Sequence, residues 1–158
     1  MKLKRALIIT LLFLGWVSFA QHHQIIDIKT NFEKKTLLIS QEIEYNNTSP
    51  DTLRKIVFYD WNNAFSDKNT PLAKRFSDEF ERSFHLAQEK ERGKTDNITI
   101  IDQNKSMLTW ERDENYTDVI QIRLREKLLP NQKATFNLTY TIKIPSDKFT
   151  LYGYGDSG

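Results

Sequence analysis

Between Ala134 and Ile144 every second residue is apolar. Ala134, Phe136, Leu138, Tyr140, Ile142 and Ile144 alternate with Thr135, Asn137, Thr139, Thr141 and Lys143. Successive side chains of an extended backbone point to opposite faces, so this period of two predicts a strand with one dry face and one wet face. A helix would scatter the same residues around its whole circumference. The pattern recurs along the chain. Ile120, Ile122 and Leu124 alternate with Gln121, Arg123 and Arg125. Ile26, Ile28, Thr30 and Phe32 alternate with Asp27, Lys29 and Asn31. Leu37, Ile39, Ile43 and Tyr45 alternate with Thr36, Ser40, Glu42 and Glu44, and only Gln41 breaks the order.

The connections between these strands carry turn chemistry. Glu33-Lys34-Lys35 predicts a hairpin, and Leu129-Pro130-Asn131-Gln132 predicts a turn. Ile98 to Asp102 and Met107 to Glu111 read as two further strands, with Leu108 and Trp110 on one face. Asp102 to Lys105 is the turn between them, and Arg112 to Asp118 a charged loop. Arg54 to Trp61 is apolar on both faces and predicts a strand covered on both sides. One segment breaks the period. Thr70 fits a helix N-cap, Pro71 the first helical position and Gly93 the exit. Leu72, Phe76, Phe80, Phe84 and Ala87 then share one helical face, with Lys74, Arg75, Asp78, Glu81 and Arg82 outside. Such a stripe predicts a helix packed across the domain's own sheet. The fold class is therefore all-β: a mostly antiparallel β-sandwich or saddle of about seven or eight strands with one inserted amphipathic helix.

Residues 1–20 read differently. Lys2, Lys4 and Arg5 precede an apolar run from Ala6 to Val17, and Ser18-Phe19-Ala20 matches a small-x-small cleavage site. This is the pattern of a secretory signal peptide, and the run is short for a membrane span. The folded part is then 21–158, secreted or periplasmic, with no membrane attachment after cleavage. The chain has a formal net charge of +2, and three of its basic residues fall in the leader, so the remainder is nearly neutral. That balance gives no electrostatic footprint for nucleic acid. The chain has no cysteine, which excludes thiol catalysis, iron–sulfur clusters and cysteine-bound zinc, and leaves the core alone to hold an exported domain.

Residues that carry chemistry are sparse. His22 and His23 are adjacent, so in an extended segment they point apart, and a solvated chain end is the expectation for them. Glu81, His85 and Glu89 would share one helix face; they read as a surface ion-pair row rather than a zinc site. Asp113, Glu114 and Asp118 read as solvated charge. Trp61, Trp110, Tyr116, Tyr152 and Tyr154 offer aromatic rings for a sugar-binding face. Of these, Trp110 and Trp61 read as structural, and Tyr152 and Tyr154 as the exposed pair. No residue is assigned as catalytic, cofactor-binding or metal-binding.

The stretch EIEYNNTSPDTLRKIVFYDWNNAFSDKNTPL from Glu42 to Leu72 resembles the opening strands of the zinc aminopeptidases of the aminopeptidase N type, in particular their exported bacterial branch. Asn46, Asn47, Ser49, Asp51 and Leu53 match that family's turn, and Trp61, Asn63, Ala64 and Phe65 match the segment that ends its second strand. Pro145, Phe149, Tyr152 and Gly153 match a later segment. Tyr59-Asp60 and Trp61-Asn62-Asn63 depart from the family's usual residues at those places. The resemblance implies that 21–158 is a non-catalytic N-terminal β-domain, incomplete at its C-terminus, that shields a catalytic domain and shapes its substrate cavity. Its partner would be the catalytic domain of the same or a longer polypeptide. The family's zinc is held by H-E-x-x-H and a later Glu, and this sequence has neither that motif nor the family's G-x-M-E-N loop, so no cofactor is expected in this chain itself. The competing reading is a free-standing secreted β-sandwich that binds a glycan or a protein.

Overall fold

The computed structural model describes residues 22–113 and 115–155. Residues 1–20, which read as a signal peptide, lie outside them. Among the described residues, seven strands form two antiparallel sheets. The strands are β1 (His22–Asn31), β2 (Thr36–Asn46), β3 (Leu53–Tyr59), β4 (Lys94–Asp102), β5 (Trp110–Arg112), β6 (Val119–Leu128) and β7 (Lys133–Lys143). One sheet has the order β1-β2-β7-β4 and the other β3-β6-β5. The all-β, mostly antiparallel class predicted by the period of two is the class observed.

The first hairpin is where the sequence places it. Lys35 takes a left-handed backbone, its amide returns to the Phe32 carbonyl, and β1 pairs with β2 from His22↔Tyr45 to Asn31↔Thr36. The second turn behaves differently. Leu129 to Gln132 does turn, with Asn131 at positive φ, but it carries the chain from one sheet to the other. β6 pairs with β3 and β5, whereas β7 pairs with β2 and β4. Two alternating strands joined by a short turn are therefore neighbours in the chain and not in a sheet.

Inward residues of the two sheets meet in one core: Ile43, Phe136, Leu138 and Ile100 from the larger sheet against Ile56, Ile120 and Ile122 from the smaller. Burial of this apolar surface supplies the main stabilisation of a domain without disulfides. β3 is covered on one face only. Ile56 is in the core, but Val57 and Tyr59 are exposed, so the expectation of cover on both sides fails.

It fails because the helical segment lies elsewhere and is broken. Helix Pro71–Asp78 is capped by Thr70 as predicted, its Oγ1 accepting the Ala73 amide at 3.1 Å and donating to the Ala64 carbonyl at 2.7 Å. The helix then stops. Phe80 adopts φ of 60°, and Glu81 N–H returns to the Phe76 carbonyl while Phe80 N–H returns to that of Ser77. This is the helix-ending geometry that glycine normally provides, and here phenylalanine provides it. A second turn, Ser83–Leu86, and a 3-10 turn, Glu89–Glu91, follow. The predicted five-residue stripe accordingly splits. Ala73 and Phe84 are buried, with Leu72 and Phe76 packed beside them, whereas Phe80 is 86% exposed. This satellite cluster sits on Phe65 of the 3-10 turn Trp61–Phe65 and under Phe149, not across a sheet. Gly93, expected as the exit of one long helix, instead permits a close approach, since a Cβ there would lie 2.8 Å from Pro145 and 2.9 Å from the Asn62 amide oxygen.

Two polar corners tie the layers together. Asn47 is fully buried. Its Nδ2 donates to the Asp51 carbonyl at 2.8 Å and to that of Leu128 at 3.1 Å, and its Oδ1 accepts from Ser49 Oγ at 2.7 Å. Its backbone closes on the Leu129–Gln132 turn through Gln132 and Asn131. The Asn-x-Ser turn of the sequence is thus the clamp that holds the crossing from β6 to β7. At the other end, Asp60 accepts from Arg112 Nη2 at 2.6 Å and from Thr95 Oγ1 at 2.7 Å, and Asn63 Nδ2 donates to the Thr117 carbonyl at 2.7 Å. That network joins β3, β4 and β5.

Candidate functional site

The two sheets do not meet along their whole length. Beyond Ile120 and Leu138 they part around a cleft of about 540 Å³, within the range of about 300–1,000 Å³ usual for small-molecule sites. Its floor is Phe58, Ile98, Ile120 and Leu138 of the core, with Ile142 beside them. Its walls are polar and aromatic. Gln41, the polar residue that interrupts the apolar face of β2, points inward because it shares that face with Ile39 and Ile43 two residues to either side. Tyr140 OH donates to Gln41 Oε1 at 2.9 Å, and Gln41 Nε2 donates to Gln24 Oε1 at 3.2 Å. The chain of bonds crosses three adjacent strands, β7, β2 and β1.

The opposite wall is built by the 3-10 turn and the last loop. Asn62 is buried, its Nδ2 reaching the Lys143 carbonyl at 3.3 Å and Thr95 Oγ1 at 3.4 Å, while Tyr152 OH donates to its Oδ1. Tyr152 is brought there because the Asp147 N–H donates to the Tyr154 carbonyl and the Tyr154 N–H to the Pro145 carbonyl, folding residues 145–155 back on the domain. Burial first, and the Asp60 carboxylate second, hold the phenols of Tyr152 and Tyr140 above the usual tyrosine range. Both therefore remain hydrogen-bond donors at neutral pH. Trp61 stands at the mouth, 55% exposed, its ring edge-to-face with Phe65 at 5.9 Å between centroids. Asp60 is the one ionisable carboxylate in the lining, and Arg112 neutralises it.

Beside this cleft lies a second feature. The even-numbered residues of β1 share the inner face of the sheet with Ile39 and Ile43, as the register Ile26↔Gln41 and Ile28↔Ile39 requires. The smaller sheet does not extend over them. Ile26 and Ile28 are exposed, and among the described residues nothing pairs with the other edge of β1. A smaller cleft of about 430 Å³ opens at the far end of the sandwich between the Asp102–Ser106 turn and the end of β6, with a largely charged rim.

The residues singled out by sequence fall as follows. His22 and His23 do not fray; they begin β1, and His22 stacks on Tyr45 with centroids 4.6 Å apart. Glu81, His85 and Glu89 do not share a helix face, because the helix ends before them. Glu81 accepts the Ser83 amide at 2.9 Å and His85 Nε2 donates to the Ala73 carbonyl at 2.9 Å. Among the described residues no group of three or more His, Asp or Glu side chains converges as a metal site. Trp110 is half-buried and packs against the core, donating to the Ile98 carbonyl, as its structural reading requires. Of the expected exposed pair, Tyr152 is exposed with its hydroxyl tied to Asn62, whereas Tyr154 is half-buried with its ring under Lys35 Nζ at 3.6 Å. Asp113 accepts the amides of Asn115 and Tyr116 and so shapes its loop. Trp61 and Tyr152 come together, which no spacing in the sequence indicates. Gln24 and Gln41 were missed as site residues, although the break at Gln41 was the available signal. No protein-family model matches the chain, and no curated protein matches it.

Proposed function

We propose that this chain is a non-catalytic β-domain of an exported zinc metalloaminopeptidase-like protein, shielding and shaping the substrate cavity of a catalytic domain that it does not itself contain. The observation that carries the reading is the uncovered inner face of β1. A ten-residue strand that pairs along its length with β2, yet leaves Ile26 and Ile28 exposed on the core side, offers a surface that another part of a larger protein can cover. The motif residues support the same reading. Asn47, Asn63, Ala64 and Phe65 are buried, and the two asparagines are occupied as clamps, so these matching residues are those of a scaffold, whereas the matching Trp61 is exposed.

The test uses the reading frame and the protein together. The frame downstream of codon 158 should encode H-E-x-x-H, and in the product of that frame the backbone amides around Ile26 and Ile28 should exchange with solvent more slowly than in this chain alone. A frame without the motif, or equal exchange in both proteins, contradicts the reading.

A further inference from the structure

We infer that the cleft between the two sheets is a binding site for a neutral saccharide of one or two rings, with Trp61 as the stacking platform and Gln24 and Gln41 as the hydroxyl-reading amides. The inference rests on the cleft, whose Gln24 lies on the same β1 face as Ile26 and Ile28, and it does not depend on what covers those two residues.

The chemistry of the lining narrows the ligand. Its single carboxylate, Asp60, has both oxygens engaged, by Arg112 and by Thr95, and the lining contains no Lys, Arg or His. A charged ligand would find no counter-ion there and would lose its hydration without compensation. A purely apolar ligand fits as poorly. It would cover the amides of Gln24 and Gln41 and the hydroxyls of Tyr140 and Tyr152, and the Gln24 NH2 has no partner among the described residues. Burying such a donor unpaired is costly.

What satisfies the site is a neutral molecule with many hydroxyls and an apolar ring face. Planar amides both donate and accept, as a hydroxyl does. The Trp61 ring is half exposed at the mouth, and its indole N–H has no partner among the described residues. Such a ring offers an apolar face with a polar edge. The internal bonds from Tyr140 through Gln41 to Gln24 fix those amides before any ligand arrives, which lowers the ordering cost of binding. An extended peptide suits the cleft less well. Peptides most readily add as a strand to a sheet edge, whereas this cleft is lined by side chains on strand faces and by the last loop.

The experiment is a titration of the purified chain with maltose, cellobiose and N,N′-diacetylchitobiose, followed by NMR of the Trp61 indole and the Gln24 and Gln41 side-chain amides. At least one sugar should shift these signals saturably in the millimolar range or tighter. Trp61→Ala should weaken that binding by about ten-fold. Gln24→Ala, on an exposed strand where folding is not at risk, should weaken it by a few-fold. Tyr116→Ala, an exposed aromatic outside the cleft, should leave it unchanged. The inference is overturned if none of the three sugars shifts these signals, if Trp61→Ala and Gln24→Ala both bind as the parent does, or if tri-alanine binds at the same signals more tightly than the sugars. Each of these outcomes leaves the β1 exchange measurement untouched, so the two readings fail separately.

Discussion

β1 and β7 are written in the same alphabet and end in opposite environments. β7 alternates apolar and polar residues from Ala134 to Lys143 and β1 from Ile26 onward, and both lie in the same sheet. β7 is a central strand flanked by β2 and β4, and its Phe136 is 1% exposed. β1 is the edge, and its Ile28 is 55% exposed. Alternation specifies that a segment is a strand with a dry side. It does not specify that the domain itself supplies the cover. Cover depends on how far the facing sheet extends, and here three strands face four.

The sharpest test of that difference is paired truncation. Phe136→Ala should lose about 3–5 kcal/mol, because it removes a ring packed edge-to-face on Phe58 and leaves a cavity between the sheets. Urea unfolding of parent and variant checks it, and a loss below about 1 kcal/mol would mean that the two sheets are not tightly packed. Asn47→Ala should come next, at about 2–3 kcal/mol, since it strands the Leu128 and Asp51 carbonyls at the corner that delivers the chain into β7. The same unfolding curves read it. An effect as small as that of an exposed site would show the corner to be dispensable.

Away from both strands, Phe80→Gly should stabilise the protein by about 0.5–1 kcal/mol, visible as a raised melting temperature. It relieves a left-handed backbone at an exposed side chain that covers nothing. Ile28→Thr should have the least effect, within about 0.5 kcal/mol, because threonine keeps the strand preference and the lost isoleucine surface is already wet. If Ile28→Thr destabilises the chain as much as Phe136→Ala does, β1 is core and the contrast is false.

These residues also show how far the sequence can be read. Local signals were legible wherever the physics is local. The Thr70 cap, Pro71 at the first helical position and the turn through Lys35 depend on neighbours within four residues. The pairing of strands was not legible, because β6 and β7 would look the same to a reader whether joined as a hairpin or split between sheets. Asn47 clamps that crossing through a bond to Leu128, 81 residues away, which no local pattern shows. The helix was overextended because Phe80 fits the apolar period in sequence while its backbone ends the helix in space. The cleft was least legible of all. It draws on Gln24, Gln41, Trp61, Tyr140 and Tyr152, which share no spacing, and only the break in alternation at Gln41 marked it beforehand.

The proposal is that this chain supports a chemistry it does not perform. The most direct measurement is made on the purified chain, incubated with zinc, desalted, and assayed for bound metal and for release of amino acids from aminoacyl substrates. The account predicts neither stoichiometric zinc nor turnover. Zinc at one per chain together with aminopeptidase turnover would contradict it.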